Sequence, residues 1–241
     1  MSRRTALGIG LGLWLLIDLP LALLVAGGWS PLLRTDRAVV DALQPAAVDS
    51  SAYRTVLDVV SDAGTTWFRL LVLVLVVVWA FRTGRARLGW YVAAVAALIG
   101  PVTTGLKLLV GRDRPEFPDP VYLGDTLSHP SGHASGIVTL VGLLLVAFVR
   151  LLPLRWRVAT VLGGVALVFA VGLTRIGLGA HYPSDVVAGF ALGAGWVLVV
   201  GAAWDVLPGP RREQVESGRS LSPQPPGGER GSDDHRRTTQ L

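Results

Sequence analysis

The stretch GLTRIGLGAHYPSDVVAGFALG, residues 172–193, is apolar on both flanks yet carries Arg175, His181 and Asp185 at its centre. Flanks of this kind predict two helices that enter a bilayer on either side of a short polar connection. Ionisable groups are costly inside a membrane and are retained there mainly for function. The stretch therefore predicts a membrane protein with a polar site where two consecutive helices meet.

The composition of the whole chain agrees with a membrane location. Of 241 residues, 51% are hydrophobic and only 16% are charged, and the mean hydropathy is +0.52, values beyond those of most soluble domains. Crossing the hydrocarbon core takes roughly 20 helical residues. Apolar runs of about this length cover residues 6–27, 66–81, 88–110, 134–152, 156–174 and 183–204. We predict an all-α fold, an integral membrane bundle of six transmembrane helices.

The first apolar run has an alternative interpretation as a cleaved signal peptide, because Arg3 and Arg4 precede it. The run is longer than the apolar core of about 7–15 residues found in signal peptides, and Asp18 and Pro20 interrupt it. A retained transmembrane helix is therefore favoured. The chain contains no cysteine, which excludes disulfides and thiol chemistry.

Arginines mark the N-terminus and alternate connections between the predicted spans. They are Arg3, Arg4, Arg82, Arg85, Arg87, Arg150, Arg155 and Arg157. The positive-inside rule places these segments in the cytoplasm, so we expect a multi-pass protein of the cell membrane with both termini cytoplasmic. The net charge of +5 follows from this topology signal and an arginine-bearing tail. The sequence has no stripe of basic residues with interleaved aromatic residues, so no nucleic-acid partner is expected.

The chain divides into a membrane domain, residues 1–205, and a tail, residues 206–241. Within the domain, the segments TDRAVVDAL and AYRTVLDVVSDAG of the connection 28–65 have helical apolar spacing and predict helices along the membrane surface. After Trp204 the sequence becomes rich in Pro, Gly, Ser and charge, which predicts a disordered cytoplasmic tail.

Polar residues suited to chemistry gather at one predicted membrane face. The chain has 21 arginines and one lysine, Lys107, in KLLVGRDRP, and this lysine alone is equally consistent with a side chain that extends to the lipid headgroups. The predicted topology brings KLLVGRDRP, SHPSGHAS and TRIGLGAHYPSD to the same extracytoplasmic face. These three segments contain three of the four histidines of the chain, so we predict a site there.

Clustered lysine and arginine side chains repel one another unless an anion lies among them, and guanidinium groups match phosphate oxygens well. The turn PSGH leads into a helix whose N-terminal N–H groups, with the Ser131 hydroxyl, would add donors. The carboxylate of Asp185 is four residues from His181, so it can fix the tautomer and leave the other ring nitrogen free to attack phosphorus. His133 would give a proton to the leaving oxygen.

Two other interpretations of the His181–Asp185 pair remain open. The pair could ligate a metal, although Lys107, Arg114 and Arg175 would surround the cation with like charge and no carboxylate cluster offsets them. The pair could also be a hydrogen bond that lets a buried histidine be tolerated. His129 has no partner that the sequence identifies and is interpreted as a loop residue.

The three segments together resemble the three-part signature of the type 2 phosphatidic acid phosphatase superfamily. KLLVGRDRP fits a lysine, six residues and Arg-Pro; PSGH matches outright; and TRIGLGAHYPSD fits an arginine, five residues, a histidine, three residues and an aspartate. The resemblance covers roughly residues 67–204, and the six-span pattern is that of the membrane lipid phosphatase branch. Thr174 stands where that signature commonly has serine, and the hydroxyl is retained.

The resemblance implies a role for each matching residue. It makes His181 the nucleophile that becomes a phosphohistidine, Asp185 its orienting partner and His133 the general acid. The implied phosphate-binding residues are Lys107, Arg114, Ser131, Gly132 and Arg175. Arg112 falls outside the signature and is at most an accessory contact. The family works without a metal or other cofactor, so none is expected here.

A site at the lipid–water boundary should act on a phosphate whose tail stays in the bilayer. Phosphatidic acid, phosphatidylglycerol phosphate and a polyprenyl diphosphate all fit, and the Arg- and Ala-rich, nearly Lys-free composition suggests a bacterial source. Two alternatives belong to other classes: a vanadate-dependent haloperoxidase, whose soluble form disagrees with six spans, and a non-catalytic phospholipid-binding or transport protein, which would not need both His133 and His181.

Overall fold

The computed structural model describes residues 1–124 and 126–206, so the predicted tail lies outside the described residues from 207 onward. All regular elements in this part of the chain are helices. They are α1 (Arg3–Leu13), α2 (Leu19–Ala26), α3 (Ser30–Asp49), α4 (Ser51–Asp62), α5 (Thr66–Arg82), α6 (Ala86–Val110), α7 (Gly132–Phe148), α8 (Leu154–Gly177) and α9 (Pro183–Trp204). The all-α class predicted from composition is confirmed.

Six helical stretches are long and apolar enough to cross a membrane, in agreement with the predicted number. The first is continuous over Arg3–Ala26, because a π-helical turn, Trp14–Asp18, joins α1 to α2 and places Pro20 near the start of the next helix. The second predicted span, 66–81, corresponds to α5, and the apolar stretch Ser51–Arg82 that contains it also includes α4. The remaining ends agree with the predictions to within a few residues.

The helices α7 and α9 pack together at the centre of the bundle, and glycines make this contact close. A methyl group on Gly189 would lie 2.6 Å from the carbonyl oxygen of Ser131, and one on Gly193 would overlap the carbonyl of Ser135. Small residues spaced four apart let helix backbones approach in this way. The N-terminal turns of α7 and α9, which carry the predicted histidine and aspartate, are thereby held side by side.

The helices α3 and α4 pack against the turn between α8 and α9. Leu57 of α4 lies close to Gly177, and Gln44 of α3 lies close to Gly179, which has a positive φ of +64°. The helical prediction for the connection 28–65 is confirmed, and its position along the membrane surface stays a prediction. These two helices cover the turn that contains His181.

Candidate active site

Ends of four helices meet at one end of the bundle. The helices α6 and α8 end there and α7 and α9 begin there, so the three sequence segments are brought together as predicted. The arginine-rich connections α5–α6 and α7–α8 lie at the other helix ends. The N-cap of α7 is Ser131, and Pro183 is the first residue of α9, where a proline needs no N–H partner.

His181 lies with its two ring nitrogens in different environments. Nδ1 is 3.5 Å from Oδ2 of Asp185, whereas Nε2 accepts a hydrogen bond from Nη1 of Arg114 at 3.1 Å. A donor at Nε2 and a carboxylate at Nδ1 favour the neutral tautomer with the proton on Nδ1. The contact predicted from the four-residue spacing is present, and Nε2 is the unprotonated nitrogen, held by Arg114 on the side away from Asp185.

Burial lowers the pKa of His181 from 6.5 to about 3, against the opposing effect of Asp185, and the positive charges of Arg114 and Arg175 lower it further. The imidazole is 1% exposed, and burial of this degree disfavours the charged form. His181 is therefore neutral at physiological pH, the state that a nitrogen nucleophile requires.

The carboxylate of Asp185 is held by donors that the sequence interpretation missed. Besides His181, it accepts hydrogen bonds from the Ser128 hydroxyl and from the backbone N–H of Tyr182 at 2.9 Å, and Nδ1 of His129 lies 3.1 Å from Oδ1. His129 lies in the connection before α7, as interpreted, but it is fully buried and has a partner, Asp185, that the sequence did not identify. Only the fold brings it to Asp185, because the two are 56 residues apart.

Arg112 joins Asp185 to a second buried carboxylate, Asp36 of α3. Its Nη1 is 2.8 Å from Asp185 Oδ1 and its Nη2 is 2.8 Å from Asp36 Oδ2. Asp36 also accepts from the backbone N–H of Ser184 at 3.0 Å, near the start of α9. The accessory role given to Arg112 thus becomes a specific one: it links α3 to the carboxylate behind His181. No sequence signal marked Asp36.

A cavity of about 210 Å³ opens beside His181. Its lining is polar and positively charged and contains no acidic side chain among the described residues. The polar and charged lining residues are Thr66, Arg69, Thr103, Thr104, Lys107, Arg114, Tyr122, Thr126, His133, Ser135 and His181, and Gly132 also contributes. A cavity of this character suits a small anion.

Backbone carbonyl oxygens hold the two signature cations of the cavity. Lys107 Nζ donates to the carbonyls of Leu127 and Ser128. Arg114 donates to the carbonyls of Thr126 at 2.7 Å and Ala180 at 2.6 Å. Carbonyl groups carry no net charge and orient these cations at the cavity, where both can also contact an anionic ligand.

Arg175 is buried and only partly satisfied. Its Nη1 donates to Ser61 Oγ at 2.8 Å, while Nε and Nη2 have no partner among the described residues. The guanidinium lies 4.5 Å from the ring centroid of Tyr122, which lines the cavity. Buried donors without partners are rare in folded proteins and are typical of a site that a ligand completes.

Ser131 is a predicted phosphate contact that does not line the cavity, and Arg175 adjoins the cavity only through Tyr122. Its hydroxyl is fully buried and accepts from the N–H of Ala134 at 3.4 Å, as the N-cap of α7. Its backbone N–H donates to the carbonyl of Asp185 at 2.9 Å. Ser131 therefore joins α7 to α9, and its role as a phosphate contact stays a prediction.

The described residues contain no group of three His, Cys, Asp or Glu side chains placed to hold a metal ion. The polar site consists instead of the neutral imidazole of His181, the cations that line the cavity and the unpaired N–H donors of Arg175, within a bundle of apolar helices. These features are those of a membrane protein with a positively charged cavity beside a buried, neutral histidine.

Comparison with known proteins identifies the family. The chain belongs to the PAP2 superfamily, whose family model matches residues 86–206. It is 36% identical over 183 residues to decaprenylphosphoryl-5-phosphoribose phosphatase from Mycobacterium tuberculosis, covering 74% of this chain and 94% of that protein. It is also 40% identical to lipid A 1-phosphatase from Rhizobium etli, over 45% of this chain and 47% of that protein.

The fold has a counterpart among solved structures. A transmembrane PAP2-type phosphatidylglycerolphosphate phosphatase from Bacillus subtilis superposes with a TM-score of 0.65 at 21% identity, covering 79% of this chain and 93% of that chain. The relatives are phosphatases. The protein is therefore a multi-pass membrane lipid phosphatase, a phosphoric ester hydrolase, and the haloperoxidase and non-catalytic alternatives are set aside.

Proposed function

We propose that the protein hydrolyses a lipid phosphate through a phosphohistidine at His181. Nε2 attacks phosphorus, the bond to the leaving oxygen breaks, and His133 gives that oxygen a proton. Water then attacks the phosphohistidine, His133 accepts a proton from it, and phosphate leaves. The observation that carries the proposal is a neutral, buried His181 whose Nε2 lies beside Arg114 in a cationic cavity.

The cations would stabilise charge during the transfer. A phosphoryl group in flight spreads negative charge over its equatorial oxygens. Lys107, Arg114 and the unpaired N–H groups of Arg175 are donors held in advance of the reaction, and Gly132 lines the same cavity. Removing one such donor typically costs about 100- to 1,000-fold in turnover.

Metal independence is part of the same proposal. A divalent cation in the cavity would face Lys107, Arg69 and Arg114 with no lining carboxylate among the described residues to offset them. The charge stabilisation that a metal provides in other phosphatases is assigned here to these side chains.

The substrate is proposed to be a phosphate monoester or diphosphate on a membrane lipid. Phosphatidic acid, phosphatidylglycerol phosphate and a polyprenyl diphosphate stay candidates, and the comparisons add a polyprenylphosphoryl phosphosugar. The last is favoured because the chain covers 94% of the decaprenylphosphoryl-5-phosphoribose phosphatase, against 47% of the lipid A 1-phosphatase. The positive-inside rule supports a site at the extracytoplasmic face and cytoplasmic termini.

Phosphate release by purified protein in detergent with EDTA tests the proposal. Each of the four candidate lipids is assayed with wild type, with His181→Ala and with a control outside the site, Gly8→Ala. An added methyl group at Gly8 meets open space. Wild type and the control should release phosphate from one lipid class, and His181→Ala should release none.

The covalent step is tested by an alkaline quench after mixing with ³²P-labelled lipid. Label bound to protein should be stable to base, labile to acid and absent from His181→Ala, as expected of a phosphohistidine. Near-normal turnover by His181→Ala, or loss of activity in EDTA that Mg²⁺ restores, would contradict the mechanism.

A further inference from the structure

Arg69 is a cavity cation that belongs to none of the three sequence motifs. It lies in the first turns of α5, before the residues that match the family, 86–206, and it lines the same cavity as Lys107 and His181. An arginine near the end of a transmembrane helix commonly extends to the lipid headgroups. The contacts of Arg69 show that its side chain does not extend to the headgroups.

The guanidinium of Arg69 lies directly on α7. A methyl group on Gly136 would overlap Nη1, Nε and Cζ of Arg69, so the glycine provides the space that the guanidinium occupies. On its own helix, Nε donates to the carbonyl of Thr65 at 3.2 Å and Nη2 donates to Thr66 Oγ1 at 3.1 Å. The side chain is thus held inward against Gly136, which lies one helical turn after His133 on α7.

The charge of Arg69 has no counterion in the described structure. No carboxylate of the described residues lies within ion-pair distance of it, in contrast to Arg112, which contacts both Asp36 and Asp185. Arg69 therefore adds a positive charge that no described carboxylate balances to the cavity of about 210 Å³, which Lys107, His133 and His181 also line. A guanidinium held beside a cavity without a carboxylate partner suits an anionic group of a ligand.

We propose that Arg69 binds a second anionic group of the substrate, the phosphoryl group that stays on the lipid after hydrolysis. The inference rests on the proposed function, in which His133 protonates the leaving oxygen. Arg69 packs on Gly136, one turn after His133 on α7, and both side chains line the cavity, so its guanidinium meets the leaving group. The substrate class is then a lipid with two phosphoryl groups, either a diphosphate or a phosphodiester-linked phosphosugar.

The proposal is tested by binding, which does not depend on turnover. Methylphosphonate and methylenediphosphonate carry one and two phosphoryl groups and resist hydrolysis, and their dissociation constants are measured calorimetrically with the full chain in detergent. Wild type should bind the diphosphonate at least about tenfold more tightly, as expected for an added charge-assisted contact. Arg69→Gln should lose this advantage and leave methylphosphonate binding within about twofold.

Two further variants separate the role of Arg69 from a loss of folding. Gly136→Ala keeps the charge but displaces the guanidinium, so it should lose the same advantage, while Arg69→Lys should retain part of it. Arg34→Gln is the matched control: it removes one exposed arginine whose Nη1 donates to Ser30 Oγ, and it should bind both ligands as wild type does.

Equal affinity of wild type for the two ligands, or a parallel loss of both in Arg69→Gln, would overturn the second-anion site. Failure of the proposed catalytic mechanism would show differently, as phosphate release by His181→Ala or absence of base-stable label. If the inference holds, kinetics with a prenyl diphosphate and the matching monophosphate should show a raised KM for the diphosphate alone in Arg69→Gln.

Discussion

Replacement of Asp36 by asparagine should destabilise the protein and slow it, although α3 lies outside the matched family region. Asp36 is 2% exposed and accepts from the Ser184 N–H at 3.0 Å, the Ser184 hydroxyl at 2.5 Å and Arg112 Nη2 at 2.8 Å. Asparagine is nearly the same size but has only one acceptor oxygen. Its amide NH₂ must therefore face a donor from Ser184 or Arg112.

The size of the effect follows from these contacts. A hydrogen bond to a charged group contributes about 1.5–3 kcal/mol, and breaking one side of a buried ion pair costs about 3–5 kcal/mol. Arg112 keeps its contact with Asp185 at 2.8 Å, so the loss is smaller than for an isolated charge. We expect Asp36→Asn to lose about 2–4 kcal/mol of unfolding free energy.

Turnover should fall as well, because Asp36 fixes Arg112 and the start of α9, which carries Asp185. A small displacement of the carboxylate behind His181 should lower kcat by about tenfold or more and change KM by less than about twofold. Asp36 does not line the cavity, which is why substrate affinity should be spared.

The assay is reversible unfolding in mixed micelles at rising SDS fraction, with phosphate release measured in parallel. Asp41→Asn is the matched control on the same helix: its ion pair with Arg37 is exposed, with side chains 48% and 43% accessible, and should contribute less than about 1 kcal/mol. If Asp36→Asn behaves like Asp41→Asn in both measurements, the link from α3 to the active site has no energetic significance.

Three further predictions concern the histidines. The ¹⁵N spectrum of His181 should show the neutral tautomer with the proton on Nδ1 at pH 5, because its pKa is lowered to about 3; a ring that titrates near 6.5 would refute this. The unfolded chain takes up the proton that charges the His181 ring at a higher pH than the folded protein does. The contribution of His181 to stability is therefore full above about pH 6.5 and is lost as the pH falls towards 3. The free energy of unfolding, measured at pH 7 and pH 5, checks this. Gly64→Ala should lower kcat by about tenfold or more, because a methyl group there would lie 3.0 Å from His133 Cδ2 and 2.9 Å from Val171. Gly8→Ala, with nothing within 4 Å, should keep its turnover, and equal rates for the two variants would show that the position of His133 tolerates the added methyl.

Helices and motifs were predictable because their signals are local. A run of about 20 apolar residues can satisfy its backbone in a bilayer only as a helix, so the number of spans followed from hydropathy. The contact between His181 and Asp185 followed from a spacing of four residues, and the start of α9 from Pro183.

The support around the site was not predictable, because its partners are far apart in the chain. Asp36 lies 148 residues from Ser184, and in sequence it resembles any acidic residue on the polar face of an amphipathic helix. His129 had no neighbour of matching chemistry within a helical turn. Arg69 could not be distinguished from an arginine that extends to the headgroups until its contact with Gly136 was known.

The sequence by itself therefore determined the membrane setting, the helical class and the three motifs, since bilayer thickness and helix periodicity act on residues close together in the chain. Tertiary structure decided which groups surround His181. The close packing of α7 on α9 and the docking of α3 and α4 over the α8–α9 turn bury Asp36, His129 and Asp185 together. Burial makes each unpaired polar group costly, and only the assembled fold supplies the partners that satisfy them.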